Sequence, residues 1–370
     1  MDSNNTNKFY VTSPSLASRE DFSSLLESSW NSGILTHNGP LVQNLENEIE
    51  NVLGLPRYIS VVNGTLALQL AIRALKLKGT IIVPAFTWAA TVTAILWENC
   101  KIKFCDVDPL TFNISPESLE ENIDEDTVAV MPVHVFGNPC DTNSINKICK
   151  KYNLKIIYDA AHAFGSKIDN KSVLLEGDIS CVSTHATKIF NTGEGGGLIS
   201  KDFRKQIDFE QLRFFGFSKE KEIINEGTNA KMTEIHAALG LANLKNFSKT
   251  LKRRTEINDL YRSYIDNSKV TFQKLSCGSN KAYFPILLKD EKTLLSLLEK
   301  LNGFCIYPRR YFYPSLNTVP FFGKNKSMPI SEDISSRIIC LPSYTNLTNQ
   351  NIKYISEKIN DALKALENSE

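Results

Sequence analysis

Three segments of the sequence carry side chains that could do chemistry, and each follows a strand-like run. LKIIYD ends in Asp159, ISCVS leads into Ser183 and Lys188, and the run from Ile59 leads into Gly64-Thr65. A carboxylate at the end of a buried strand is costly unless it meets a positive charge or several donors. Asp159 is therefore predicted to have a buried partner. A carboxylate that only caps the following turn is the alternative.

Lys188 lies just past a predicted strand, among small and hydroxyl residues, and a GEGGG run follows it. This placement favours burial, and burial lowers the pKa of an amine and makes it a nucleophile. Most single lysines are solvated, so the prediction depends on the strand-end aspartate and the glycines nearby. The GEGGG run lacks the GxGxxG spacing and precedes a strand, which argues against a dinucleotide site.

The Gly64-Thr65 pair stands at the start of a predicted helix. Free backbone N–H groups and the positive helix end favour a phosphate at such a position, although a plain capped turn has the same sequence. An aspartate, a lysine, a phosphate-binding turn and a stacking aromatic are together typical of a site for pyridoxal 5′-phosphate (PLP). We therefore predict PLP as the cofactor.

Alternating strand and helix patterns are predicted to position these residues. Strand-like runs are TIIV (80–83), IKFC (102–105), VAVMPV (128–133), LKIIYD (154–159), ISCVS (179–183) and GLIS (197–200). Helical patterns cover 66–77, 89–97, a stretch that Ser115 caps before Pro116, and 142–152. This order predicts an α/β fold with a largely parallel sheet that is buried on both faces. Ligands bind beyond the carboxyl ends of such strands.

A second, smaller domain is expected in the C-terminal third. A long helical pattern, broken or bent, covers 229–264, and VTFQ (270–273) and AYFPILL (282–288) follow as shorter strands. Further helices are predicted over 291–301 and 351–366. A chain of 370 residues exceeds what one core of about 250–300 residues holds. We predict domains at 1–240 and 241–370.

The composition excludes several classes of protein. Hydrophobic residues make up 42% and charged residues 22%, with a net charge of +1, so the chain folds and has no field that would draw it to nucleic acid or an anionic membrane. Eight scattered cysteines without a CxxC pair predict reduced, buried thiols, and no two histidines have metal-ligand spacing. The polar N-terminus and the absence of an apolar run of about 18–20 residues predict a cytoplasmic protein.

Six separated motifs resemble the DegT/DnrJ/EryC1/StrS family of sugar aminotransferases in their order and spacing. They are NGTLALQLAIRAL, VPAFTWAATVTAI, VHVFGNPCD, YDAAHAFGS, STHATKIFNTGEGGG and NAKMTEIHAALGL. The resemblance extends from SSWNSGILTHNGPLV to the closing LPSY. It implies PLP fold type I, with a large domain whose mostly parallel seven-stranded sheet lies between helices and a smaller C-terminal α+β domain.

The resemblance implies a role for several residues at the cofactor. Lys188 matches the Schiff-base lysine of the SxHxTK motif, and Asp159 matches the aspartate that faces the pyridine nitrogen. The implied stacking aromatic is Trp88, and the implied phosphate contacts are Gly64, Thr65, Ser183 and Asn229. In this family the asparagine comes from the other subunit, so the resemblance implies a homodimer with active sites at the interface.

Two positions depart from the family pattern. Thr184 stands where an aromatic is common, and His162 stands where glutamine is common beside the cofactor hydroxyl. Substrate contacts are expected from six further residues, with a solvated surface as the alternative for the double arginine and a structural histidine as the alternative for the first of them: His185, Lys231, Arg309, Arg310, Tyr311 and Tyr313.

The implied reaction moves the amino group of L-glutamate to a nucleotide-linked keto-6-deoxysugar. The motifs are most similar to those of the viosamine-forming dTDP-4-keto-6-deoxyglucose 4-aminotransferases, which implies a product for O-antigen or another surface polysaccharide. Alternatives are a dTDP-3-keto-6-deoxyhexose 3-aminotransferase and an enzyme for a UDP- or GDP-linked 4-keto sugar. A sugar 3-dehydratase of the same fold carries histidine in place of the lysine, so Lys188 argues against it. A regulatory, non-enzymatic protein is disfavoured because the predicted site residues are all present.

Overall fold

The computed structural model describes residues 8–323 and 325–367, so both ends of the predicted domains (1–7 and 368–370) lie outside the described residues. The described strands are β1 (Phe9–Tyr10), β2 (Ile59–Val61), β3 (Thr80–Pro84), β4 (Lys101–Cys105), β5 (Thr127–Val130), β6 (Lys155–Asp159), β7 (Lys167–Ile168), β8 (Lys171–Ser172), β9 (Ile179–Ser183), β10 (Gly196–Ile199), β11 (Thr271–Phe272), β12 (Phe284–Leu287), β13 (Ile306–Tyr307) and β14 (Ile338–Leu341). The described α-helices are α1 (Arg19–Ser32), α2 (Pro40–Leu53), α3 (Gly64–Ala74), α4 (Ala89–Trp97), α5 (Pro116–Glu121), α6 (Thr142–Lys151), α7 (Phe203–Leu212), α8 (Glu234–Leu244), α9 (Phe247–Tyr264), α10 (Glu291–Gly303), α11 (Pro329–Arg337) and α12 (Asn349–Glu367).

Seven strands form the central sheet, in the order β2-β10-β9-β6-β5-β3-β4. Strands β9, β6, β5, β3 and β4 pair in parallel, whereas β10 pairs antiparallel with both β2 and β9. The prediction of an α/β fold with a mostly parallel, seven-stranded sheet is therefore confirmed.

Helices cover both faces of this sheet. Alternate residues of β3 enter different clusters: Ile81 and Val83 pack with residues of α3 and α4, whereas Ile82 packs with Leu119 of α5 and Ile145 of α6. Side chains of successive strand residues point to opposite faces. A strand buried on both sides must therefore be apolar at nearly every position, which is why the runs are continuous rather than alternating.

Local signals place several helix starts where the sequence predicts them. The hydroxyl of Ser115 accepts a hydrogen bond from the Ser118 N–H (3.1 Å), and Pro116 is the first residue of α5. A cap of this kind contributes about 1 kcal/mol. The helical pattern at 229–264 is two helices instead of one, because Thr233 caps α8 and the chain turns at Lys245 and Asn246 before α9 begins.

A separate antiparallel sheet, in the order β11-β12-β14, packs with α9, α10 and α12 in its own apolar cluster. The domain boundary predicted at residue 240 falls inside α8 and stays a prediction. The C-terminal part is fastened to the strand ends by Asn280, whose amide donates to the carbonyl oxygens of His162 (2.7 Å) and Phe164 (2.9 Å). The Leu316 N–H likewise donates to the carbonyl oxygen of Ala85 (2.9 Å).

All eight cysteines are free, and most of them are buried. None of the helices within the described residues has both the length and the apolar character needed to cross a membrane.

Candidate active site

A cavity of about 320 Å³ lies beyond the carboxyl ends of β6 and β9. The sheet topology brings together there most of the residues predicted from the sequence. They are Gly64, Thr65, Trp88, Asp159, His162, Ser183, His185, Lys188, Arg309 and Tyr311.

Asp159 is the last residue of β6 and is only 6% exposed. One carboxylate oxygen, Oδ2, accepts a hydrogen bond from the Thr91 hydroxyl (2.8 Å), and Oδ1 accepts one from the Ala161 N–H (3.0 Å). Burial raises the pKa of the carboxyl, while these hydrogen bonds and the charge of Lys188 act in the opposite direction. The buried carboxylate therefore has two donors and one cationic neighbour, and it faces the cavity.

Lys188 is half-buried in the connection between β9 and β10. Its backbone N–H donates to the carbonyl oxygen of His185 (2.9 Å), and the Ala186 N–H donates to that of Gly193 (2.7 Å), so the connection folds back on itself. Desolvation lowers the pKa of the Lys188 ammonium to about 8, although the charge of Asp159 opposes this shift. About one-tenth of such amines are neutral at pH 7, compared with a negligible fraction at the ordinary value of 10.5.

The first turn of α3 and the end of β9 form a cradle at one side of the cavity. Asn63 caps α3 by accepting a hydrogen bond from the Leu66 N–H (2.8 Å). The first N–H groups of a helix, here at Gly64 and Thr65, have no intrahelical acceptor. A Cβ at Gly64 would lie 2.8 Å from the Cβ of Ser183. Only glycine lets the helix end approach the Ser183 hydroxyl this closely.

His162 is buried, and its Nδ1 accepts a hydrogen bond from the Phe136 N–H (3.2 Å). Burial and the charge of Lys188 hold the pKa of the imidazole well below its ordinary value, so the ring is neutral and carries its proton on Nε2. The ring is nearly coplanar with Phe312, with centroids 5.9 Å apart at 8°. His162 can therefore donate one hydrogen bond towards the cavity, the capacity that its departure from the family pattern put in question.

Aromatic rings and one guanidinium line another wall. Trp88 is 49% exposed, and its ring lies 5.8 Å from that of Tyr311 at 63°. The Arg309 guanidinium lies over both rings, 4.4 Å from Tyr311 and 5.6 Å from Trp88. Stacking uses the faces of a guanidinium and leaves its N–H edges for an anion. Arg309 forms no ion pair within the described part of the chain, so these edges are available.

The structure does not bring Arg310 or Tyr313 to the cavity. Arg310 forms an ion pair with Glu291 (2.6 Å) and donates to the carbonyl oxygen of Ser336 (2.7 Å). The ring of Tyr313 lies against its guanidinium (3.4 Å) and not against the cavity. Of the two neighbouring arginines, only Arg309 is placed for a substrate contact.

Asn229 and Lys231 also lie outside this cavity. Asn229 is exposed and accepts a hydrogen bond from the Lys231 ammonium. The ammonium lies over the rings of Phe214 (4.7 Å) and Phe215 (4.4 Å) and lines a different cavity of about 220 Å³. Neither residue can reach the Lys188 cavity of its own chain in this arrangement.

Sequence reasoning missed two residues that contribute to the site. Thr91 donates to Asp159 from the first turn of α4, and its hydroxyl also pairs with that of Thr87 (2.8 Å). A hydroxyl residue in a helix that starts at the carboxyl end of β3 is a usable signal for this contact. Glu194 lines the cavity from the GEGGG run, and no spacing rule distinguishes it from a solvated glutamate.

The side chains present fit PLP. The Gly64 cradle supplies N–H and hydroxyl donors for a phosphate, and a Cβ there would fill the approach. Asp159 is a buried carboxylate that suits a protonated ring nitrogen, and Lys188 is an amine with a lowered pKa for covalent attachment. The fold and the cavity are together those of a PLP-dependent enzyme.

The DegT/DnrJ/EryC1/StrS aminotransferase family profile matches residues 17–360, and the chain belongs to this family. It is 39% identical to a dTDP-4-amino-4,6-dideoxy-D-glucose transaminase of Shigella dysenteriae, over 95% of this chain and 98% of that protein. It is 34% identical to the GDP-perosamine synthase of Escherichia coli O157:H7, over 95% of this chain and 97% of that protein. The crystal structure of DesI with its TDP-sugar product is similar at a TM-score of 0.91 and 29% identity, over 98% and 95% of the two chains. The protein is a PLP-dependent aminotransferase, as predicted.

Proposed function

We propose that this aminotransferase moves the amino group of L-glutamate to dTDP-4-keto-6-deoxy-D-glucose and forms dTDP-4-amino-4,6-dideoxy-D-glucose. The observation that carries the aminotransferase chemistry is the meeting of Lys188, Asp159 and the Gly64 cradle in one cavity. The similarity to the Shigella dysenteriae transaminase supports the choice of sugar and of nucleotide.

The chain holds the cofactor at three points. The N–H groups at the start of α3, with the Thr65 and Ser183 hydroxyls, bind the phosphate. The Asp159 carboxylate keeps the ring nitrogen protonated, and Trp88 packs on the ring. PLP, when bound, supplies an electron sink that stabilises negative charge at the carbon attached to the transferred nitrogen.

Lys188 supplies the proton transfers. Once an incoming amine displaces it from covalent attachment, its neutral Nζ takes the proton from the α-carbon of L-glutamate and delivers it to the C4′ position. In the second half-reaction the same nitrogen returns a proton to the sugar carbon. A pKa of about 8 suits both directions, because a general acid–base group works best when its pKa lies near the working pH.

The nucleotide and the position of amination are parts of the proposal with competing candidates. The 34% identity to a GDP-perosamine synthase favours a GDP-linked 4-keto sugar as the second candidate. Amination at C3 and a UDP-linked acceptor remain possible family reactions. Arg309 is the residue that we propose for the diphosphate or for a donor carboxylate, because its N–H edges are free at the cavity.

We also propose a homodimer with active sites at the interface. The exposure of Asn229 and Lys231 supports a role at a partner's cofactor phosphate, since they do not reach the cavity of their own chain. Phe215, Ile223 and Ile224, in the neighbouring loop, expose 44%, 72% and 56% of their area, which suits burial against a second copy. The proposed protein is cytoplasmic, its 1–240 domain binds PLP, its 241–370 domain helps close over the substrate, and its product serves O-antigen or another surface polysaccharide.

Turnover with matched acceptors tests the proposal. The purified protein with PLP and L-glutamate is incubated separately with dTDP-4-keto-6-deoxyglucose, its 3-keto isomer, and UDP- and GDP-linked 4-keto-6-deoxysugars. We expect the dTDP 4-keto sugar to be aminated at C4 with the highest kcat/KM, as mass spectrometry and NMR of the product would show. Amination at C3, or a higher kcat/KM with another nucleotide, would overturn the choice of substrate.

A further inference from the structure

His185 and Glu194 line the Lys188 cavity from opposite ends of one loop. The loop connects β9 to β10 and carries Lys188 between them. The His185 Nε2 and the Glu194 Oε1 lie 3.6 Å apart, which is longer than a hydrogen bond. The two side chains are therefore neighbours at the cavity whose polar atoms do not satisfy each other.

The orientation of the His185 ring is fixed by Thr187. The Thr187 N–H donates to the Nδ1 of His185 (3.2 Å), and the Thr187 hydroxyl lies 2.9 Å from the same nitrogen. A backbone N–H can only donate, so Nδ1 carries the lone pair and the neutral ring has its proton on Nε2. His185 therefore presents an N–H donor beside the Glu194 carboxylate.

The backbone of Glu194 is held as firmly. Its carbonyl oxygen accepts from the Thr192 hydroxyl (2.7 Å), and the next carbonyl, of Gly195, accepts from the Thr184 N–H (2.9 Å). A Cβ at Gly195 would lie 2.3 Å from the Thr184 hydroxyl oxygen, so the two sides of the loop are in close contact. Thr184, where the family commonly has an aromatic, supplies a hydroxyl to this closure.

We propose that His185 and Glu194 form a donor–acceptor pair that reads one ring hydroxyl of the sugar substrate. A hydroxyl accepts from an N–H and donates to a carboxylate at the same time, so it satisfies both atoms of the pair. L-glutamate has no hydroxyl, and its carboxylates are repelled by Glu194. The pair therefore acts in the second half-reaction and not in the first. This inference rests on the proposed function, since it requires a sugar acceptor.

The test separates the two half-reactions of the PLP-loaded enzyme. In single turnovers, L-glutamate converts the enzyme to its pyridoxamine form, and dTDP-4-keto-6-deoxyglucose converts it back. We expect Glu194→Gln to lower kcat/KM of the sugar half-reaction about 10- to 100-fold, the effect of one hydrogen bond to a charged group. The glutamate half-reaction should stay within about twofold of the wild-type rate or become faster. His185→Ala should show the same asymmetry, and His185→Gln, whose amide can replace the Nε2 donor, should recover part of the loss.

Substrates without a ring hydroxyl identify the contact. With the 2-deoxy or the 3-deoxy analogue of the same nucleotide sugar, the penalty of Glu194→Gln should disappear for one analogue and persist for the other. Glu357→Gln is the matched control, because Glu357 on α12 is similarly exposed (57% against 55%) and far from the cavity in sequence and fold.

The outcomes distinguish this inference from the proposed function. Equal losses in both half-reactions, or a penalty that persists with both analogues, would overturn the hydroxyl-reading pair. An unchanged sugar half-reaction in Glu194→Gln would do the same. If the wild-type enzyme completes the glutamate half-reaction but aminates none of the nucleotide sugars, the proposed substrate class fails instead.

Discussion

Gly64→Ala is the substitution that probes the phosphate cradle most selectively. The new Cβ would lie 2.8 Å from the Cβ and 3.3 Å from the Cα of Ser183, both of which belong to the end of β9. Carbon atoms in contact are ordinarily about 3.5–4.0 Å apart. Because neither atom is the far end of a flexible side chain, the first turn of α3 must move away by about 1 Å.

The consequence for PLP binding follows from the hydrogen bonds that the cradle provides. A shift of about 1 Å disrupts at least one hydrogen bond from the helix N-terminus to the phosphate, and a hydrogen bond to a charged group contributes about 1.5–3 kcal/mol. Since 1.4 kcal/mol is a factor of ten, the Kd for PLP should rise about 10- to 150-fold. The fold itself should survive, because overpacking costs about 1–3 kcal/mol and glycine replacement in a helix returns about 0.4–1 kcal/mol.

Titration of the apoprotein with PLP, followed by visible absorbance, measures this Kd. Gly303→Ala is the matched control, because Gly303 ends α10 and a Cβ there meets nothing within 4 Å. We expect Gly303→Ala to bind PLP like the wild type. A wild-type Kd for Gly64→Ala, with the protein folded, would show that this turn does not hold the phosphate.

Three further substitutions and conditions test other parts of the site. Asp159→Asn should lower kcat on the order of 100- to 1,000-fold, the effect of removing one preorganised charge interaction, without destabilising the apoprotein, because burial already raises the pKa of that carboxyl; near-normal turnover would contradict the assignment. Arg309→Gln should lower kcat/KM for an anionic substrate about 10- to 100-fold, whereas Arg310→Gln, whose guanidinium is paired with Glu291, should stay within about threefold, and the reverse order would refute the placement. The rate at which apoprotein attaches PLP should rise with pH and level off above about 8, because the lowered pKa makes the Lys188 amine neutral there; a rise that continues to the ordinary lysine value of 10.5 would contradict it.

Much of the site could be predicted because it depends on strand ends. Asp159 and Ser183 end parallel strands and Gly64 starts the helix after β2, so the sheet alone brings them to one edge. The antiparallel direction of β10 was not predictable, since a buried apolar run has the same sequence in either direction. Strand β5 ends at Val130, before the Pro132 that the predicted run included.

Residues placed by tertiary contacts could not be assigned from the sequence. Arg309 and Arg310 are chemically identical neighbours, and only the ion pair with Glu291 decides which one leaves the cavity. Glu194 resembles any loop glutamate until the loop folds back through Thr184 and Thr192. Asn229 and Lys231 were assigned by resemblance alone, and a single chain contains no cavity that both of them reach.

Substitution of Lys188 tests the central claim most directly. Lys188→Ala and the control Lys353→Ala, an exposed lysine on α12, are each loaded with PLP and assayed with L-glutamate and dTDP-4-keto-6-deoxyglucose. We predict that Lys188→Ala loses both transamination and the visible absorbance of lysine-bound PLP, while Lys353→Ala keeps both. Retained turnover in Lys188→Ala would contradict the assignment of Lys188 as the residue that attaches the cofactor and moves the proton.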